Sequence, residues 1–132
     1  MAIVSTVSGR HIELDAIDQS LIIIEDISHH LAMICRYGGA VKSHYSVAQH
    51  SCRVMDMAPD HVKREALMHD SSEYLLQDLI QPVKRMVGDA YKNIERTLGM
   101  AIADRFDMSY NIMVDPVIKN IDMNMLWTEM IE

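Results

Sequence analysis

Residues typical of helix starts and helix ends recur along this chain after its first 20 or so residues. They predict a series of helices rather than strands. Apolar residues from Ile24 onward follow each other at three- and four-residue steps, the periodicity of an amphipathic helix, until Gly38-Gly39 ends the run. Ser46 and Gln49 match the S-x-x-Q capping box, which predicts a helix over 47–58.

Later signals divide the rest of the chain in the same way. A third helix is expected to carry His69, and a long helical stretch over 84–106 is expected to be interrupted near Gly88. Asp115-Pro116 predicts the start of the last helix. The weak alternation before residue 20 is compatible with a small N-terminal hairpin. We therefore predict a single all-α domain, residues 1–132, with five or six helices.

Composition excludes several classes of protein. The net charge of -7 argues against binding a nucleic-acid polymer. Apolar runs such as Leu21 to Ile24 are far shorter than the roughly 20 residues that span a bilayer, and the start of the chain lacks the pattern of a signal peptide. The two cysteines have no CxxC spacing, which indicates free thiols in a reducing compartment. We expect a soluble, cytoplasmic protein with no membrane partner.

Two histidines and two aspartates could converge on one cation. If His69 and Asp70 lie on one helix, their side chains project about 100° apart and can both reach an ion lying against it. His50 lies near the start of another helix, and Asp122 lies among apolar residues of the last one, where an unpaired carboxylate is costly. Two imidazoles and two carboxylates suit Co²⁺, Mn²⁺, Zn²⁺ or Fe²⁺, with Mg²⁺ a further alternative. Such an ion activates water and polarises phosphoryl oxygens.

Other charged residues could move protons and hold phosphate. Glu73, on a continuous helix, points to the same side as the His-Asp pair, where a carboxylate can transfer a proton. Asp78 follows in the same segment, and Arg36 and Lys84 could donate to phosphate oxygens. Each residue also has a plainer interpretation as a solvated surface charge.

Several stretches of the sequence resemble the HD-domain phosphohydrolases, and the similarity is greatest to small 5′-deoxynucleotidases and short phage dATP triphosphohydrolases. The resemblance runs from about residue 8 to residue 129 and is carried mainly by the runs Tyr45–Ser51, Ala66–Tyr74 and Asp78–Lys84. It implies a helical bundle around one divalent ion, and it implies a homo-oligomer. The implied metal ligands are His50, His69, Asp70 and Asp122.

The resemblance also implies roles for five further residues. Glu73 would activate or orient the attacking water, and Asp78 would contact the substrate or the leaving group. Arg36 and Lys84 would bind phosphate, and Tyr37 would pack against the nucleoside. The sequence departs from the family at the His-Asp pair, which is followed by two serines rather than a small apolar residue.

The expected activity is metal-dependent removal of phosphate from a deoxynucleotide. The first expectation is a deoxynucleoside triphosphate triphosphohydrolase with dATP as substrate, acting in the cytoplasm of the host if a phage encodes it. A 5′-deoxynucleotidase acting on monophosphates is the alternative within the same class. A nucleotide-binding HD module without turnover is the alternative from another class, and a small helical protein with core histidines is the plainest one.

Overall fold

A computed structural model describes residues 2–131, with side chains through Glu129. A small antiparallel hairpin of β1 (Ile3–Ser5) and β2 (His11–Glu13) precedes a mostly helical chain, in agreement with the predicted class. The helical segments are α1 (Ile24–Met33), α2 (Val47–Met57), α3 (Lys63–Leu67), α4 (Glu73–Leu76), α5 (Gln81–Val87), α6 (Asp89–Arg105), α7 (Tyr110–Met113) and α8 (Pro116–Ile131). They outnumber the five or six predicted, because α3, α4 and α7 are little more than single turns. Within residues 2–131, no helix combines the length and apolar character needed to cross a bilayer.

Local signals place several helix ends where they were predicted. The Ser46 hydroxyl accepts from the Gln49 amide at 3.0 Å, and the Gln49 side chain accepts from the Ser46 amide at 2.7 Å, which completes the capping box of α2. Gly88 separates α5 from α6 with a φ of 73°, a conformation that favours glycine. Asp115 accepts from the Val117 amide and caps α8.

The prediction that His69 and Asp70 lie on a helix was wrong. Helix α3 ends at Leu67, residues 68–72 form a turn, and α4 begins at Glu73. The two serines after the His-Asp pair are consistent with this break, since serine is a weaker helix former than alanine or leucine. Within this turn the two side chains lie close together, with His69 Nε2 at 2.9 Å from Asp70 Oδ2.

Helix α2 lies at the centre of the fold and packs against α1, α3 and α8. Its contact with α8 is apolar: Val54 of α2 and Ile118 of α8 are fully buried in one cluster, together with Ala66 of α3 and Met125. Burial of a side chain the size of valine or isoleucine contributes about 1.5–3 kcal/mol. This packing holds one face of α8 against the helix that carries His50.

Candidate metal centre

The structure brings His50, His69, Asp70 and Asp122 together from α2, the 68–72 turn and α8. One ligand atom from each side chain lies within 4.8 Å of the others. His50 Nε2 lies 2.7 Å from Asp122 Oδ1, and His69 Nε2 lies 2.9 Å from Asp70 Oδ2. The crossed distances are 3.5 Å from His50 Nε2 to Asp70 Oδ2 and 3.6 Å from His69 Nε2 to Asp122 Oδ1. Two imidazoles and two carboxylates so arranged could hold a metal ion.

The other nitrogen of each imidazole is held by an acceptor outside this group. His50 Nδ1 donates to Glu129 Oε2 at 2.8 Å, and His69 Nδ1 donates to the Ala66 carbonyl at 2.7 Å. The Nε2 atoms of both rings are buried, and among the described residues neither has a partner in hydrogen-bond geometry, despite the short distances to the carboxylates. This is the arrangement of metal-ligating histidines, whose second nitrogen donates to a carboxylate or carbonyl.

The charges of the group are strongly interdependent. Burial lowers the pKa of His69, but the Asp70 and Asp122 carboxylates outweigh it and raise that pKa to about 10. Burial in turn raises the pKa of Asp122, but the close His50 and His69 imidazoles outweigh it, and the pKa falls to about 2. A divalent cation bound here would take the place of protons on the imidazole nitrogens, and the two carboxylates would then face the cation.

Asp122 lies at the edge of the site. Its side chain is 37 % exposed, although the apolar residues around it predicted an inward position. It nevertheless faces both histidines, because α8 packs on α2 through its apolar positions and leaves Asp122 at the border of that contact. The group is therefore open to solvent on this side.

Glu73 and Asp78 lie beside the group on its acidic side. Glu73 is 3 % exposed, which makes it a buried acid rather than a solvated one, and its Oε1 atom has no hydrogen-bond partner among the described residues. Burial, with the neighbouring charges of Asp70 and Asp78, raises the pKa of Glu73 well above its ordinary value. Burial also raises the pKa of Asp78. Both carboxyl groups therefore favour the protonated form more than an exposed acid does.

The predicted phosphate ligands, Arg36 and Lys84, each lie near a carboxylate. Arg36 is buried, with Nη1 at 3.9 Å from Asp70 Oδ2, and its guanidinium lies 5.1 Å from the centre of the Tyr37 ring. Lys84 Nζ lies 3.5 Å from Glu95 Oε2, an acid that sequence reasoning did not include. Arg36 is paired in the same way, since its Nη2 atom lies 3.4 Å from Glu129 Oε1, so both predicted phosphate ligands already face a carboxylate.

Glu129 is the site residue that sequence reasoning missed. Its side chain is 1 % exposed and accepts hydrogen bonds from Tyr37, Tyr45 and His50. Glu129 follows Asp122 by seven residues, two turns of α8, so the two acids share one face of the helix. This spacing was the available signal in the sequence.

Glu129 also lines a cavity of about 960 Å³. It is lined by Tyr37, Tyr45, Lys42, Arg53 and neighbouring residues, and none of the four candidate metal ligands lines it. Tyr37 adopts a φ of 59°, a left-handed conformation that costs a non-glycine residue of the order of 1–2 kcal/mol. Its hydrogen bond to Glu129 helps to hold this conformation.

Comparison with known proteins gives two relatives that are themselves uncharacterized. The protein YfdR of Escherichia coli K12 is 38 % identical, over 98 % of this chain and 71 % of its own length. A protein of Rhodobacter capsulatus is 36 % identical, over 76 % of this chain and 56 % of its own length. No protein-family model matches the chain.

Proposed function

We propose, from the premise that this chain belongs to the same family as YfdR of Escherichia coli, that it is a metal-dependent phosphohydrolase of the HD type acting on deoxynucleotides. The preferred substrate is a deoxynucleoside triphosphate such as dATP. Hydrolysis releases the deoxynucleoside and triphosphate, or removes the phosphates in steps.

The proposal rests on the hydrogen bonding of the two imidazoles, in which one nitrogen of each ring is paired and the other is not. The Nδ1 atoms of His50 and His69 are occupied by acceptors, and both Nε2 atoms face Asp70 and Asp122 without a hydrogen-bond partner among the described residues. Buried polar atoms are rarely left unpaired without a functional reason. The nitrogen and oxygen donors fit Co²⁺, Mn²⁺, Zn²⁺ or Fe²⁺, and Mg²⁺ less well because it prefers oxygen ligands.

The charges around the site suit both a cation and an anionic substrate. Asp70 and Asp122 face the two imidazoles, and the cations Arg36 and Lys84 lie near the same carboxylates. When bound, a divalent cation lowers the pKa of a coordinated water and polarises phosphoryl oxygens. Arg36 can then donate its guanidinium N–H groups to phosphate oxygens.

Glu73 is proposed to act as the general acid or base, which transfers a proton during hydrolysis. Hydrolysis joins the oxygen of water to phosphorus and breaks the phosphorus–oxygen bond to the leaving group, which must gain a proton. A buried carboxyl with a raised pKa can hold that proton and transfer it to the leaving group. Asp78, with its own raised pKa, is proposed to contact the substrate or the leaving group beside it.

An assay of the released products tests the proposal directly. Purified protein with added Co²⁺ or Mn²⁺ is incubated with dATP and, separately, with dAMP, and inorganic phosphate and triphosphate are measured. Triphosphate or phosphate from dATP supports the triphosphohydrolase, whereas phosphate from dAMP alone indicates a 5′-deoxynucleotidase. Binding of a cation and of dATP without cleavage of either compound would show a nucleotide-binding module instead.

A further inference from the structure

We propose that Glu129 is a positioning residue, which fixes the ligand tautomer of His50 and joins it to the Arg36–Tyr37 side of the site. The inference rests on the proposed function in that it assumes a cation at His50. It concerns a residue outside the metal-ligand set, and it can be tested by cation binding alone.

The hydrogen bonds of Glu129 carry this inference. Its Oε1 atom accepts from the Tyr37 hydroxyl at 2.8 Å and lies 3.4 Å from Arg36 Nη2. Its Oε2 atom accepts from His50 Nδ1 at 2.8 Å and from the Tyr45 hydroxyl. Four donors therefore share one carboxylate, whose side chain is 1 % exposed.

Both carboxylate oxygens of Glu129 are used as acceptors, Oε1 by Tyr37 and Oε2 by His50 and Tyr45. Because Oε2 accepts from His50, the Nδ1 atom of that ring carries the proton. This leaves the lone pair of the neutral ring on Nε2, where it faces Asp122. The tautomer that can bind a cation is thus selected by Glu129.

The same carboxylate holds the predicted substrate side of the site. Tyr37 has a left-handed backbone, and its hydroxyl has Glu129 as its hydrogen-bond partner; the Arg36 guanidinium lies over the Tyr37 ring. Movement of Glu129 would therefore disturb His50 and the Arg36–Tyr37 pair together. His69 offers the contrast, because a backbone carbonyl, not a side chain, holds its Nδ1 atom.

The test is the dissociation constant for Mn²⁺ or Co²⁺, measured by calorimetry on the full chain. Glu129→Gln keeps the shape of the side chain but removes its charge, and we expect affinity to fall by about 10–100-fold, as for other outer partners of ligating histidines. Glu129→Asp keeps the charge but retracts the carboxylate from His50, and it should also bind more weakly than wild type. Glu25→Gln, the same change at an exposed position of α1, should leave the constant unchanged.

Two further measurements separate positioning from a merely structural role. The Zn²⁺-loaded wild type should show a protected Nδ1–H signal for His50 in ¹⁵N-correlated spectra, and this signal should weaken or shift in Glu129→Gln. A Tyr37→Phe, Tyr45→Phe double variant keeps the His50 contact and should retain wild-type cation affinity. If Glu129→Gln does not fold, the dissociation constant of Glu129→Asp is compared with that of wild type instead.

Wild-type affinity in both Glu129 variants, or equal losses in the double tyrosine variant and in Glu129→Gln, would overturn the inference. Failure of the proposed function gives a different result, since a wild-type protein that binds the cation but cleaves no nucleotide leaves all these comparisons intact.

Discussion

Two polar clusters in this molecule, each containing a buried acid or imidazole, differ in how completely their atoms are paired. At the hairpin junction, formed by Thr6, Ser8, Asp26 and His30, Asp26 is 1 % exposed and accepts from the Ser8 amide at 3.2 Å and the Ser8 hydroxyl at 2.8 Å. At the candidate metal centre, the carboxylates and imidazoles lie close together, yet both Nε2 atoms lack a partner in hydrogen-bond geometry among the described residues.

The histidines show the difference most directly. His30 uses both ring nitrogens, since Nε2 accepts from the Val7 amide at 3.0 Å and Nδ1 donates to the Tyr74 carbonyl at 2.9 Å. His50 and His69 each use one nitrogen in this way and direct the other toward Asp70 and Asp122. In this fold, a buried histidine therefore indicates a functional site only when one of its ring nitrogens has no hydrogen-bond partner among the described residues.

The largest expected effect is at Asp122, whose removal should destroy the cation site and leave the hairpin junction intact. Asp122→Ala is expected to reduce Mn²⁺ or Co²⁺ affinity by at least about 100-fold, beyond the usual loss for an outer partner, and to abolish nucleotide cleavage. Because Asp122 is 37 % exposed, the variant should still fold. Calorimetry with Asp56→Ala as the exposed control checks this, and unaltered affinity would remove Asp122 from the ligand set.

Glu73→Gln should separate catalysis from cation binding. We expect cleavage to fall by about 10²–10⁴-fold, the usual contribution of a general acid or base, while the dissociation constant for the cation stays close to that of wild type. Initial rates with saturating Mn²⁺ and dATP provide the measurement. A variant with full activity would assign the proton transfer to another group, such as Asp78.

Addition of a cation should stabilise the folded protein. At a Mn²⁺ concentration of 100 times the dissociation constant, the expected gain is about 2.7 kcal/mol, and EDTA should reverse it. Thermal denaturation followed by circular dichroism measures the shift in Tm. The Asp26→Asn variant should gain as much as wild type and Asp122→Ala should gain nothing; the opposite pattern would contradict the distinction between the two clusters.

The smallest expected effect is at the hairpin junction itself, and it concerns stability alone. Asp26→Asn should reduce the free energy of unfolding by about 1.5–3 kcal/mol near pH 7, because charged hydrogen bonds to Ser8 are lost. Burial raises the pKa of Asp26, but its bonds to Thr6 and Ser8 lower it below 3.8 overall. Its contribution is therefore present above pH 3.8 and is lost as pH falls through the lowered value.

Urea denaturation at several pH values gives the free energies of both proteins. The difference between wild type and Asp26→Asn should shrink below pH 3.8, and a difference independent of pH would show that the carboxylate charge is unimportant.

Much of the fold was predictable because its signals are local. The Ser46 capping box, the Gly88 interruption and the Asp115 cap each depend on residues within four positions of one another. The turn at His69 and Asp70 was not predictable in this way, because the helical spacing of the apolar residues before it continues past Leu67. Only the pair of serines after Asp70 marked the break.

The candidate site was predictable in part, through resemblance rather than periodicity. The ligand group came from recognised runs of sequence, whereas Glu129 is defined by partners that lie 79 to 93 residues earlier in the chain, from Arg36 to His50. Likewise, no local pattern pairs Lys84 with Glu95. Long-range pairs of this kind depend on how α8 and α6 pack against other elements. The periodicity within a single helix does not predict them.

The exposed edge at Asp122 has a practical consequence for how the protein is handled. A ligand at the surface lets ions enter and leave without unfolding of the chain, so loading and stripping should be quick. The metal found after purification would then report the last buffer, or a histidine-tag resin, more than the ion used in the cell. A protein with such an accessible candidate site is best characterised after deliberate reconstitution, one ion at a time.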